Sequence, residues 1–304
     1  MKNKKPGGIQ IGTKTMIYKL FDIQRNSFVD GPGIRTTVFF RGCNLRCEWC
    51  HNPESQSGEK TLFYYAEKCK KCGKCGEICR KNAIRYGIFQ RKSCDFCGDC
   101  AVFCPENALK MCGQDYKTKE LFDLLIKDKE YYDLSGGGVT LSGGECMLYP
   151  QQVAEISKLL KEAGISVAVD TAGNVAWKSF AEVLPFVDLF LYDVKLADNE
   201  KHKKYTGVSN ELILQNLGSI LHAGKKVIVR IPIIPGVNDT VEEMRCIKKI
   251  IERNAPHLPQ KTELLPYHRL GENKYNALRL PPHVFSVPSA EKMKELSEIF
   301  GGEY

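Results

Sequence analysis

No stretch of this chain of 304 residues approaches the roughly 18 consecutive apolar residues that a membrane-spanning helix needs. A helical bilayer anchor is therefore not expected. The basic N-terminal run Met1-Lys-Asn-Lys-Lys-Pro-Gly-Gly8 has no apolar segment after it, so it lacks the core of a secretory signal. The expectation is a cytoplasmic protein whose thiols stay reduced, which sets disulfides aside. Compositional bias is missing as well: 43% hydrophobic and 26% charged residues are ordinary for a globular chain and indicate neither disorder nor a coiled coil. The formal charge of +8 lacks the usual nucleic-acid context, because the basic residues are not interleaved with exposed aromatics in any recognised binding module. Most of that charge is local, with eleven Lys and Arg against five Asp and Glu between Lys60 and Cys112. Cations there would stabilise anionic groups held within the segment or attract an acidic partner.

One absence carries chemistry. In Arg41-Gly-Cys-Asn-Leu-Arg-Cys-Glu-Trp-Cys50 three cysteines, Cys43, Cys47 and Cys50, have no fourth partner nearby. A four-iron cluster is ordinarily held by four thiolates, so the spacing C-x3-C-x2-C leaves one iron open to another ligand. Zinc is the rival reading, but a structural zinc site is closed by four ligands, and His51, directly after Cys50, is badly placed to be the fourth.

What is present around this loop is an alternation of strand and helix. Short β-branched or apolar runs at 36–40, 139–141, 166–169, 189–192, 227–231 and 263–265 predict six parallel strands buried on both faces. Helical patterns fall at 119–132, 150–163, 177–184, 211–222, 241–254 and 290–300, and polar residues able to cap precede 211–222 and 241–254. The expected fold is α/β, a partial (β/α)6 TIM-like barrel formed by residues 1–60 and 113–304, with an open doubly wound sheet as the alternative. The barrel is favoured because the unusual loops directly follow successive strands, where barrel active sites are built.

Residues 61–112 interrupt the alternation. They carry Cys69, Cys72, Cys75 and Cys79, then Cys94, Cys97, Cys100 and Cys104-Pro105, the duplicated spacing of a bacterial ferredoxin with two [4Fe-4S] clusters. In that arrangement the fourth cysteine of each run crosses over, giving one set of Cys69, Cys72, Cys75 and Cys104 and another of Cys94, Cys97, Cys100 and Cys79. Paired zinc knuckles are the alternative. The remaining Cys112, Cys146 and Cys246 read as buried small residues.

The loop of Cys43, Cys47 and Cys50, with Trp49 before the last cysteine, resembles the radical S-adenosylmethionine superfamily. Asp30-Gly-Pro-Gly-Ile-Arg35 extends the resemblance to the activating enzymes of glycyl radical enzymes, of the type with an inserted ferredoxin-like domain. The resemblance implies three [4Fe-4S] clusters and S-adenosylmethionine, cleaved reductively to a 5′-deoxyadenosyl radical that takes a Cα hydrogen from a glycine of a partner enzyme. It assigns Asp30, Gly31, Pro32, Gly33 and Arg35 to the partner peptide, and Trp49, Gly143, Gly144 and Glu145 to the cofactor. It further assigns Asp170 to the cofactor's ammonium and Lys195 to its carboxylate, lets Asp170, Thr171 and Asp193 share a monovalent cation, and adds Arg230 and His268 to the ring. Partners implied are a glycyl radical enzyme and a flavodoxin or ferredoxin-type donor, with a monomeric chain. Plainer readings exist: Trp49 as a prop for the loop, Asp30–Arg35 as a tight turn, Asp193 and Lys195 as a rim ion pair, and His268 as a satisfied polar residue. Arg230 within an apolar strand is hard to read as core, since an unpaired buried charge is costly. Rival functions are a radical enzyme acting on a small molecule and a non-catalytic electron carrier.

Overall fold

The computed structural model describes residues 15–86, 88–254 and 259–302. Its strands are β1 (Ile17–Ser27), β2 (Arg35–Phe40), β3 (Thr61–Tyr64), β4 (Ile84–Arg85), β5 (Ile88–Phe89), β6 (Leu109–Cys112), β7 (Gln114–Lys117), β8 (Gly138–Gly143), β9 (Ser166–Thr171), β10 (Leu189–Asp193), β11 (Lys226–Ile233) and β12 (Lys261–Pro266). Eight of them form one sheet in the order β12-β11-β10-β9-β8-β2-β1-β7. The six strands β2 and β8 to β12 are mutually parallel, as the alternation predicts. Two antiparallel strands, β1 and β7, extend the β2 side. Among the described residues the sheet keeps two free edges, at β12 and β7, so the barrel is partial.

Period-two alternation within the parallel strands decides what each face does. Val38, Phe40, Val139, Leu141, Val167, Val169, Phe190, Tyr192, Val229 and Ile231 join the main core against the helices. The alternate positions face the concave side. There Ala168, Leu189, Leu191 and Ile228 form a small apolar floor. Continuing the same alternation toward the strand ends gives Ser142, Asp170, Asp193 and Arg230. One strand therefore supplies apolar packing at its start and a polar side chain at its carboxyl end, which is how a buried sheet builds a site without breaking its core.

Several expectations need correction. The helix expected at 119–132 is two helices, Thr118–Leu125 and Lys129–Ser135, separated by a 3-10 turn at Ile126–Asp128. Asp128 is committed there to Arg25 and to the Thr36 hydroxyl, which fixes the turn against β1 and β2. Asn210 does not cap the helix Glu211–His222; its amide instead donates to the carbonyls of Leu196 and Ala197, holding the loop after β10. Cys246 is exposed rather than buried, and Cys112 is half-buried, while Cys146 is fully buried as expected. The helices Asn199–Thr206 and Glu272–Leu278 were not in the sequence pattern.

Residues 61–112 hang from a short hairpin in which β3 pairs antiparallel with β6, Thr61 opposite Cys112. One face of it packs with Ile84 and Cys100 beneath Leu62 and Leu109, and the other places Phe63 against Ala277 and Leu278. The segment repeats itself in backbone as well as in sequence. Lys71 and Phe96, Gly73 and Gly98, and Asn82 and Asn107 are paired positive-φ positions at equivalent places in the two cysteine runs.

Candidate functional site

Parallel strands send their carboxyl ends to the same rim, and a cavity of about 510 Å³ opens there. That volume lies in the range of sites for small organic ligands. The loop after β2 contributes Cys43, Cys47, Trp49 and Cys50 to its wall. Gly143 and Gly144 follow from β8, Asp170 and Thr171 from β9, Asp193 and Lys195 from β10, Arg230 from β11, and His268 from the segment after β12. Asp30 and Val29 close it from the segment between β1 and β2.

Local packing explains these placements. Gly143 has φ +125°, and a Cβ there would stand 2.2 Å from the Phe40 nitrogen; at Gly144 it would stand 2.3 Å from the Gly42 oxygen. The two glycines thus let the β8 loop lie directly on the backbone that carries the cysteine loop. Trp49 is buried among Leu196, Ile234, Val237 and Tyr267, with Cys47 at the edge of the same cluster. It both props the loop and lines the cavity.

The charged groups form a graded set. Lys195 Nζ donates to Asp193 Oδ2 at 2.6 Å. Burial works against the Lys195 ammonium, yet the Asp193 carboxylate bonded to it more than offsets this and holds it charged. Among the described residues Asp170 has no such cation in hydrogen-bond contact: Ser142 Oγ donates to it at 2.7 Å, and Arg230 Nη1 stands 3.8 Å away. Burial pushes the Asp170 carboxyl up to about 6, with Arg230 pulling down and Asp193 pushing further up. Arg230 donates to the Val29 carbonyl at 2.6 Å and ion-pairs with Glu263 at 3.5 Å, so it is paired rather than stranded in the sheet. The His268 ring stacks on that of His51 at 3.8 Å between centroids. Burial, and next the proximity of His268, push His51 down to about 4.

Some expected site residues stand elsewhere. Glu145 is buried and does not line the cavity; its carboxylate accepts from Thr171 Oγ1 at 2.7 Å, from the Ala172 nitrogen at 2.9 Å and from the Met147 nitrogen at 3.0 Å. It ties the loop after β8 to the loop after β9, and its effect on any ligand passes through Thr171. Arg35 is 1% exposed at the opposite end of β2 from the cysteines. Its guanidinium donates to Thr140 Oγ1, the Val139 carbonyl and the Pro32 carbonyl, which leaves no face for a peptide. Gly31, Pro32 and Gly33 are likewise outside the cavity wall, whereas Asp30 reaches it and is held by the hydroxyls of Ser27 and Thr37.

Sequence reasoning passed over the Lys274 contact. Lys274 Nζ donates to Asn52 Oδ1 and to the buried Glu54 Oε1, both at 2.6 Å, clamping the segment after Cys50. The signal was indirect, since nothing in the sequence pairs positions 54 and 274. His51, which the sequence offers as a candidate zinc ligand, stands in the cavity wall beside Cys50.

The donor set suits iron–sulfur clusters. Burial raises all three loop thiols, Cys43 to about 11 and Cys47 to about 12, so each needs a strongly cationic centre to ionise. Among the described residues no three His, Cys, Asp or Glu side chains converge as a single ion would require. Cluster thiolates bind separate irons and stand farther apart than the ligands of one zinc. In the segment 61–112, one cavity is lined by Cys69, Cys72, Cys75 and Cys104, and a second by Cys79, Cys94, Cys97 and Cys100. Backbone N–H groups point at the crossing thiols, from Ala83 to Cys79 Sγ at 3.2 Å and from Ala108 to Cys104 Sγ at 3.3 Å.

The model of the Radical SAM superfamily matches residues 92–245, half of the chain, beginning inside the inserted segment and running through β11. A trans-4-hydroxy-L-proline dehydratase activating enzyme of Clostridioides difficile is 42% identical over 92% of this chain and 95% of its own length. A (2S)-3-sulfopropanediol dehydratase activating enzyme of Klebsiella oxytoca is 39% identical over 86% of each chain. Among solved structures, a radical SAM methyltransferase from Sphaerobacter thermophilus shares the fold at 14% identity, with a TM-score of 0.53 over 88% of this chain and 63% of that one. Strand order, cysteine loop and similarity across nearly the whole length agree: this chain belongs to the radical S-adenosylmethionine superfamily and, within it, to the activating enzymes of glycyl radical enzymes.

Proposed function

We propose that this chain installs a radical on a glycine of a partner enzyme, with Cys43, Cys47 and Cys50 holding the [4Fe-4S] cluster that meets S-adenosylmethionine. The observation that carries the reading is the single cavity in which those three cysteines share walls with Asp170, Asp193, Lys195 and Arg230. The chemistry that such a cofactor pair supplies when bound is one-electron cleavage of the sulfonium carbon–sulfur bond to a 5′-deoxyadenosyl radical, which abstracts the glycine hydrogen.

The chain's own residues position and exclude. Lys195, kept charged by Asp193, offers its ammonium to a carboxylate. Asp170 offers a carboxylate to an ammonium, and a cation bound there relieves the cost of ionising it in a buried place. Asp170, Thr171 and Asp193 also present oxygens for a monovalent cation, although the Thr171 hydroxyl already serves Glu145 and the Gly173 nitrogen. Trp49 supplies an apolar wall that keeps water from one side of the loop. Val29 and Asp30 line the cavity, which supports assigning them to the approach of a glycine-bearing peptide. No general acid or base is required, and fixed geometry does the work.

Residues 61–112 form a separate ferredoxin-like unit with two further clusters, on Cys69, Cys72, Cys75 and Cys104 and on Cys79, Cys94, Cys97 and Cys100, which pass electrons from an external carrier to the loop cluster. The two cysteine-lined cavities support that division of ligands. The enzyme works as a monomer on the large partner.

Anaerobic reconstitution with iron, sulfide, dithionite and S-adenosylmethionine tests the reading. The expected result is 5′-deoxyadenosine, and a glycine-centred doublet in the electron paramagnetic resonance spectrum of a co-incubated glycyl radical enzyme. Cleavage without a doublet for any of a panel of such partners would overturn the protein-substrate reading, and no cleavage at all would overturn the enzyme reading.

A further inference from the structure

The two halves of the inserted segment match in backbone and oppose each other in charge. The first loop reads Cys69-Lys-Lys-Cys-Gly-Lys-Cys75 and the second Cys94-Asp-Phe-Cys-Gly-Asp-Cys100. Lys70, Lys71 and Lys74 are exposed, line the first cavity around the exposed Cys72, and have no ion pair or ammonium hydrogen bond among the described residues. The second loop is partly neutralised from within: Asp95 and Asp99 share a groove with Arg80 and Lys81, and Arg80 ion-pairs with Asp99 at 3.7 Å. The first cavity has one opposing charge in its wall, Glu106.

A second observation falls on the same half. Tyr86 in the wall of the first cavity is 48% exposed, and Tyr64, Pro105 and Leu109 line the same cavity. Cys104 lines the first cavity, so apolar surface and free ammonium groups sit beside the same set of thiols. An apolar centre with a charged rim is the make-up of a transient docking surface, and unpaired lysines select a partner of negative charge.

We infer that the Lys70, Lys71 and Lys74 face, with Tyr86, is the docking site for an acidic one-electron carrier protein, and that the Asp95 and Asp99 face is not. The inference rests on the proposed cluster at Cys69, Cys72, Cys75 and Cys104. In the transfer itself the carrier is oxidised by one electron and the enzyme reduced by one, with no bond made or broken. The lysines act before that step, by raising the encounter rate and orienting the carrier toward Cys72.

The test uses the reconstituted holoenzyme and a pre-reduced acidic ferredoxin, mixed anaerobically in a stopped-flow instrument while cluster absorbance is followed. Wild type is compared with the triple variant Lys70→Glu, Lys71→Glu, Lys74→Glu and with the double variant Asp95→Lys, Asp99→Lys, each at several salt concentrations. The methyl viologen radical cation serves as a reductant that an acidic face would not repel. Expected for the triple variant is a second-order rate constant at least about tenfold lower with ferredoxin and a flattened salt dependence. Its rate with the viologen cation stays at or above wild type, and the double variant shows no loss with ferredoxin. A triple variant with the wild-type rate and salt dependence would overturn the inference. So would an equal loss with both reductants, which would place the lysines' effect on the cluster. Iron content separates the layers: about four irons per wild-type chain rather than about twelve would overturn the cluster reading and the docking face with it.

Discussion

In the barrel, three cysteines stand on a scaffold with a core of its own, running from Tyr18 and Leu20 through the parallel strands to Met293 and Leu296. Each fully buried Leu, Val or Phe in that core contributes about 1.5–3 kcal/mol. In the inserted segment, eight cysteines are spread over a stretch whose buried cluster is Leu62, Ile84, Cys100 and Leu109. Its helices Lys74–Ile78 and Asp99–Val102 are single turns begun by glycines at positive φ. The difference teaches where packing carries a fold and where it is thin: the barrel positions its thiols on a core of its own, whereas the inserted segment has little core of its own to hold its thiols in place.

Iron removal is the strongest way to break that comparison. With an anaerobic chelator, we expect the lysine- and arginine-rich stretch from Lys68 to Lys92 to become cleavable by trypsin at rates near those of an unfolded peptide. The barrel should yield a resistant fragment and retain its circular dichroism. Limited proteolysis read by mass spectrometry checks this, and an apo segment as resistant as the holo one would show that its small core suffices. Cys47→Ala reverses the emphasis. Cofactor cleavage should fall below detection and iron drop from about twelve to about eight per chain, with trypsin resistance of the inserted segment unchanged.

The same contrast decided what the sequence could tell. The grouping of eight cysteines in the inserted segment was legible because they sit in one short stretch at repeated spacing, and two cavities gather them in the same two sets of four. Six parallel strands were legible because burial on both faces writes continuous apolar runs. The edge strand β7, Gln-Asp-Tyr-Lys, is mostly exposed and writes no such run. The helix Asn199–Thr206 is polar almost throughout and was signalled by Asp198 alone, whose side chain accepts from the Lys201 nitrogen. In the cavity wall, Asp170, Asp193 and Lys195 were legible because they lie at or just past the carboxyl end of a strand. The inward turn of Glu145 was not, since it depends on the Thr171 hydroxyl and the Ala172 nitrogen, both distant in sequence.

Ion pairs sharpen the comparison at a smaller scale. Lys195 is 10% exposed and Asp193 25%, so Lys195→Met strands a largely buried carboxylate. The expected cost is roughly 2–3 kcal/mol, seen as lost thermal stability and about 100-fold weaker binding of S-adenosylmethionine by calorimetry. In the inserted segment the Arg80–Asp99 pair is 87% and 35% exposed. Arg80→Met should leave thermal stability and cluster content unchanged, since exposed pairs contribute little.

The smallest effect expected is a pH dependence confined to the barrel. Asp170 is raised from its ordinary value of 3.8 to about 6 by burial, so the folded protein disfavours its ionised form. Its contribution to stability is present below about pH 4 and is lost as pH rises through about 6. Ligand binding runs the other way, because an ammonium needs the ionised carboxylate. Between pH 7.5 and 6.5 the affinity for S-adenosylmethionine should change little, and below about 6 it should weaken by up to tenfold per pH unit. In Asp170→Asn that slope should vanish, at an affinity already low at pH 7.5. Calorimetric titration of the reconstituted enzyme across pH 5.5–7.5 measures both chains. A slope that persists in Asp170→Asn would move the titrating group elsewhere in the cavity and remove Asp170 from the ammonium end of the site.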